Sequence, residues 1–247
     1  FLGLQTTTDN GDTWSEIQKL AAFPEACKIY RGAYDPVQNR VHLLISPRGP
    51  LGGYRGAVHC IYVPETGKLL SLTGAELGPM GTVESFQAGV PKVFHRLVDF
   101  VLYEGMPYFL YEGKEGGFHF GYWQDGQWVE LPDTEGKFGN LSQRPVLHTT
   151  DGKTFRVYGI ADWDVERELF GGDVRVWEST DGGKTWSDGK LLADREDFGH
   201  GFQQVNKVMN YSGEGPFLIV SEPTAPWPEG WEKTDFTHYD NPSRRDK

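Results

Sequence analysis

One plan is written repeatedly along this chain, and it limits the folds available. Short runs rich in β-branched and aromatic residues recur, separated by Gly-, Pro-, Asn- and Asp-bearing turns. "KIYRGAYD", "RVHLLIS", "AVHCIYV" and "KLLSLT" make one group of four. "KVFHRLVDFVLY", "PYFLYE", "FHFGYW" and "WVELP" make a second, and "RPVLHTT", "TFRVYGIAD", "DVRVWEST" and "KTWSDGKLLA" a third. Each group takes roughly 50–60 residues, slightly above the usual length of a propeller blade. Repeated four-stranded antiparallel meanders predict an all-β chain, a β-propeller, with residues 1–247 in a single domain. The opening "FLGLQTTTDNGDTWSEIQKL" supplies an outer pair of strands. "FQQVNKVMN" and "PFLIVSEP" near the other end supply an inner pair. Both ends read as abrupt, so the expectation is part of a larger propeller of about seven blades. Closure as a ring of roughly four blades is the alternative. Only Ser15–Ala22 and Asp164–Leu169 offer short helix candidates.

A second repetition sits inside the first. "TTTDNGDTWS" and "ESTDGGKTWSDG" share [Ser/Thr]-x-Asp-x-Gly-x-Thr-Trp, with Asp9, Gly11, Thr13 and Trp14 matching Asp181, Gly183, Thr185 and Trp186. Each lies between strand-like runs, in a hairpin context. A carboxylate there accepts backbone N–H groups within the turn, and glycine supplies backbone angles that other residues avoid. The tryptophan is expected to tuck beneath the turn and bury apolar surface. Both aspartates are therefore read as structural, in turns between the third and fourth strands of a blade.

Composition narrows the function classes. The chain has 247 residues, a net charge of −11 and no visible basic face, which argues against a nucleic-acid binder. A local arginine cluster can still serve an acidic substrate within an acidic protein. No apolar run is long enough to span a membrane. The spacing of Cys27 and Cys60 fits no zinc motif, and a disulfide or two buried thiols both remain open.

The paired Asp turns resemble the Asp-box, or bacterial-neuraminidase repeat, which marks a fold more than a function. A sharper resemblance lies in "YRGAYDPVQNRVHLLISPRGPLGGYRGAVHCIYV". Tyr30, Gly32, Tyr34, Asp35, Pro36, Arg40, Val41, His42, Arg48, His59, Ile61 and Tyr62 are similar to a blade of BNR-4-type propellers. That family includes ulvan lyases and lyases of rhamnose–glucuronate linkages. The resemblance implies β-elimination on an acidic, uronate-containing polysaccharide, by a secreted or periplasmic protein with no required cofactor. The chemistry needs a carboxylate clamp, a base for the C5 proton and an acid for the C4 oxygen.

Candidate residues follow from these demands. Arg48, Tyr54, Arg55 and His59 cluster around a Gly-rich loop, where functional groups commonly sit on a rigid scaffold. Arg48 and Arg55 suit the carboxylate clamp, His59 and Tyr54 proton transfer. Arg31, His95, Arg96 and Arg144 fall near innermost strands, where a charge must face a partner or the central funnel. His119 occupies the position in its group that His59 has in the preceding one. It is a second funnel histidine or a repeated packing residue. His42 alternates with core residues and reads as structural; His200 and Asn206 are weaker candidates. Trp123, Trp163 and Trp177 could stack on sugars, though core roles are commoner. Asp162–Glu166 could ligate a structural calcium. The rival readings are a sialidase-like hydrolase, with Arg31, Arg96 and Arg144 as an arginine triad, and a non-catalytic carbohydrate-binding propeller.

Overall fold

The computed structural model describes residues 2–21, 27–47, 58–77, 94–113, 118–131, 138, 145–161, 172–194, 204–207 and 218–221. The regular elements among them are all strands. The chain divides into two compact units, Phe1–Leu97 with Trp123–Trp128, and Val98–Tyr122 with Val129–Lys247.

In the first unit, β1 (Leu2–Leu4) and β2 (Gln18–Ala21) form a hairpin. Strands β3 (Cys27–Asp35), β4 (Arg40–Pro47), β5 (Val58–Val63), β6 (Lys68–Ser71) and β7 (Glu76–Leu77) form a five-stranded meander in chain order. Of the stretch offered as a short helix candidate at Ser15–Ala22, Gln18–Ala21 forms β2, the second of the outer pair of strands expected there. One expectation is corrected: the first group has a fifth strand. Ser71 accepts the Ala75 N–H and its carbonyl receives Gly74 N–H, and this tight turn lets Glu76–Leu77 pair back onto β6.

The strand period of two assigns this sheet its faces. Ile45, Cys60, Leu69 and Leu77 bury against Leu2, Leu20 and Ala21. The alternate residues His42, Leu44, His59 and Ile61 lie on the opposite face, and they too are buried.

The second and third groups fold as expected. Strands β8 (Phe94–Tyr103), β9 (Met106–Gly113), β10 (Phe118–Gln124) and β11 (Gln127–Glu130) form one four-stranded sheet. Strands β12 (Val146–Thr149), β13 (Phe155–Ala161), β14 (Asp173–Ser179) and β15 (Lys190–Ala193) form another. A final hairpin joins β16 (Gln204–Lys207) and β17 (Leu218–Ser221). The β8–β9 and β10–β11 connections have two residues each. Glu104 and Gly105 (φ 49° and 77°), and Asp125 and Gly126 (φ 51° and 76°), both take positive φ. That is the turn whose twist matches antiparallel strands.

The core of the second unit is aromatic. Phe120 packs on Phe155 with centroids 4.8 Å apart and edge-on to Trp186 at 5.5 Å, while Phe138 meets Trp186 at 5.0 Å. Trp177 is buried in the same cluster, which gives it a packing role and not a sugar platform. One buried polar link is built in: the Asp99 carboxylate of β8 accepts the Leu147 N–H of β12 at 2.8 Å.

Both Asp turns form as read. Asp181 accepts the N–H groups of Lys184 and Thr185 and the hydroxyls of Thr185 and Ser179. Asp9 accepts the Thr13 N–H and the hydroxyls of Thr13 and Thr7. The tryptophans differ. Trp186 is 6% exposed, as expected, but Trp14 is 59% exposed. The reason is the floor beneath them: Phe120 and Phe138 receive Trp186, whereas no ring among the described residues stacks on Trp14. A third turn of this kind lies outside the repeated motif. Asp151 accepts the N–H groups of Lys153 and Thr154 and the Thr154 hydroxyl, with one residue fewer between Asp and Thr.

The strand register also decides the cysteine question. Cys27 faces Pro47 of β4 from one side, and Cys60 faces Leu43 of β4 from the other. Two strand spacings and four residues of offset place the Cα atoms about 15 Å apart, beyond disulfide reach.

Candidate functional site

The register of β3, β4 and β5 collects ionisable residues on one sheet face. Arg31, Leu44 and His59 form one cross-strand row; Ala33, His42 and Ile61 form the next; Asp35 and Arg40 pair in the one after. Directly paired residues share a face, so Arg31, Asp35, Arg40, His42 and His59 all belong to it. Arg31 and His59 stand two strands apart in one row, about 10 Å between Cα atoms.

Two histidines meet in this array. The Nδ1 of His42 lies 3.0 Å from the Nε2 of His59, and the ring centroids are 5.0 Å apart. Their rows are neighbours and their strands adjacent, which brings the side chains together diagonally. His42 is 2% exposed and His59 0%. Burial pushes the His42 pKa down to about 4; the nearby Asp35 carboxylate opposes that shift and Arg40 reinforces it. Burial, with some help from His42, pushes His59 well below the ordinary histidine range. Both rings are therefore neutral at pH 7. Each can accept a proton, and neither is a ready donor of one as imidazolium.

Asp35 completes the cluster. It ends β3 at the turn into β4, where its Oδ1 accepts the N–H groups of Val37 and Gln38 at 2.9 and 3.3 Å. Its Oδ2 is buried with no hydrogen-bond partner. The sequence marks Asp35 only as one residue of the family resemblance and His42 only as alternating with core residues; the structure makes His42 the partner of His59. The available signal was the pairing of two strands in which the histidines fall two residues out of register.

His119 sits elsewhere. It is the second residue of β10, as His59 is of β5, so the positional match in the sequence holds. Its ring stacks on Tyr111, its cross-strand partner, at 5.2 Å and 16°. Its Nδ1 lies 3.5 Å from the Glu130 carboxylate, with the side chain 22% exposed. Where β4 offers His42, β9 offers Phe109, which faces Gly121 as His42 faces Ile61. The histidine pair is thus not repeated. Trp123 is half-buried.

Arg48, Tyr54, Arg55, Arg144, Trp163, His200 and the Asp162–Glu166 loop lie outside the described residues. Strand β8 carries His95 and Arg96 and β16 carries Asn206, but only their backbones are described. The segment with Arg48, Tyr54 and Arg55 joins Pro47 of β4 to Val58 of β5, so His59 follows it by two residues. Among the described residues, no group of three or more His, Cys, Asp or Glu side chains could hold a metal ion.

No family model and no curated protein matches the chain. Among solved structures, an ulvan lyase of polysaccharide lyase family PL25 is similar with a TM-score of 0.64. That match has 15% identity and covers 90% of this chain and 56% of the lyase. An ulvan lyase of that family bound to -[GlcA(1-4)Rha3S]- gives a TM-score of 0.60, with the same identity and coverage. The chain has a propeller-like all-β fold. A NanB sialidase from Streptococcus pneumoniae overlaps with a TM-score of only 0.41, at 14% identity over 87% of this chain and 50% of that one. A likeness that loose carries no argument for sialidase chemistry. The chain spans little more than half the length of the lyases it matches. No helix among the described residues is long and apolar enough to cross a membrane.

Proposed function

We propose that this protein is a polysaccharide lyase that cleaves a uronate-containing glycan by β-elimination, its sheets serving as blades of one propeller. The observation that carries the reading is the shared face of β3, β4 and β5. It joins Arg31 to the neutral pair His42 and His59, in a fold similar to that of an ulvan lyase.

The residues take roles that the chemistry requires. Arg48, with Arg31 and Arg55, neutralises the substrate carboxylate, because a guanidinium meets a carboxylate through two parallel hydrogen bonds. This lowers the cost of negative charge at C5 as the proton leaves. His59 accepts that proton, its burial keeping it neutral and its bond to His42 fixing the ring. A bound uronate nearby raises the histidine's affinity for a proton, since opposite charge favours the charged form. The C5–H electrons form the C4–C5 double bond, the C4–O bond breaks, and Tyr54 protonates the leaving oxygen. His59 is enclosed, so the covering residues must part for the sugar to reach it. A uronate glycan as substrate fits a secreted or periplasmic setting.

The test is absorbance at about 235 nm during incubation with ulvan and other uronate glycans, where an unsaturated uronate forms only by elimination. A steady rise supports the reading. New reducing ends without absorbance would make the protein a hydrolase. No change on any glycan, with binding retained, would make it a carbohydrate-binding module.

A further inference from the structure

The buried cluster on one face of β3, β4 and β5 has a property that does not depend on the lyase reading. Two neutral imidazoles joined Nδ1 to Nε2 hold one proton between the facing nitrogens, so one ring donates and the other accepts. A first added proton puts a charge where both rings are sealed from water. A second leaves N–H facing N–H and breaks the bond. This bond ties β4 to β5 by side chains, in addition to the backbone ladder between them.

We infer that Asp35, His42 and His59 form an acid-sensitive fastening between β3, β4 and β5, closed while at least one of the two rings is neutral and released when both are protonated. Asp35 is part of the device. Its buried Oδ2 has no partner in the neutral state, and its charge favours a proton on His42. Among the described residues, the charged groups on the same face as the pair are Asp35 and Arg31 on β3, Arg40 on β4, and the exposed ion pair of Lys68 on β6 with Glu76 on β7. From β6 the neighbouring residue in the His42 row is Leu70, which is apolar. Released, β4 and β5 lose their side-chain tie close to where the connection bearing Arg48, Tyr54 and Arg55 leaves and re-enters the sheet.

The sign follows from the His42 pKa of about 4, below the ordinary 6.5. The unfolded chain binds more protons than the folded one between these values. Stability is therefore full above pH 6.5 and falls as the pH drops toward 4.

NMR of protein labelled at the histidine rings tests the inference directly. The chain has 7 histidines. The wild type should show one ring titrating near pH 4 and a second that stays neutral at least as far. D35N should move the His42 midpoint to still lower pH, because the opposing carboxylate charge is gone. The melting temperature should decline between pH 6.5 and 4 in the wild type, and a H42F/H59L double variant should lose that decline. Both rings titrating near pH 6.5, or a decline unchanged in the double variant, would overturn it. If the double variant fails to fold, the wild-type and D35N titrations decide alone.

Discussion

Trp186 donates its indole N–H to the carbonyl of Gly183, 3.1 Å away, and so closes the turn that Asp181 organises from the other side. The same motif at Asp9 has no such closure among the described residues, and its Trp14 lies open. Identical letters thus carry different energies. Trp186→Ala should destabilise the protein by about 3–5 kcal/mol, the usual cost of deleting a large buried ring. Trp14→Ala should stay within about 0.5 kcal/mol. Urea denaturation of both variants checks the contrast, and equal losses would contradict it.

Gly183 is held by two constraints. Its φ is +89°, and a Cβ there would run into the Phe120 ring and approach Leu131. Gly182 shares the positive φ (+79°), but a Cβ there meets nothing within 4 Å. Gly183→Ala should therefore cost more than Gly182→Ala, by about 1–3 kcal/mol of overpacking. Thermal melts of the two variants measure the difference.

The three Asp turns predict acid sensitivity in a separate pH window. The Thr185 hydroxyl and N–H hold Asp181 at about 2, below its ordinary 3.8. Thr13 and Thr7 do the same for Asp9, and the N–H groups of Thr154 and Lys153 for Asp151. Here the folded state favours the charged form, so the stabilisation is present above pH 3.8 and lost as the pH falls toward 2. Asp151→Asn, Asp9→Asn and Asp181→Asn should each flatten the melting curve against pH below 4 and leave the region above it unchanged.

The lyase reading predicts that His59→Ala lowers turnover by ~10²–10⁴, the scale of a lost general acid–base group. Arg48→Lys should also be harmful, because an ammonium cannot reproduce a two-pronged grip. Absorbance of the product reports both, with circular dichroism confirming the fold. Near-normal turnover in His59→Ala would remove His59 from the reaction.

Cys27 and Cys60 should both react as thiols when the protein is unfolded without reductant, since the register keeps them apart. Mass spectrometry after alkylation counts the labels. A protein that takes up none would contradict the β3–β4–β5 register.

Apart from β7, the sequence by itself determined the described strands and their order. Alternating apolar residues between Gly, Asn and Asp turns specify antiparallel meanders locally, and "EGM", "DGQ" and "DGG" formed turns where expected. It also determined the Asp turns, whose hydrogen bonds span no more than a few residues. What the tertiary structure decided is every relation that crosses strands. The sequence could not show that His42 meets His59, because the contact depends on a register set by the whole β3–β5 sheet. It could not show that Asp35 is buried beside them, or that Trp186 finds an aromatic floor and Trp14 does not. Turn chemistry is local and legible in a few letters, whereas burial and pKa depend on neighbours far along the chain.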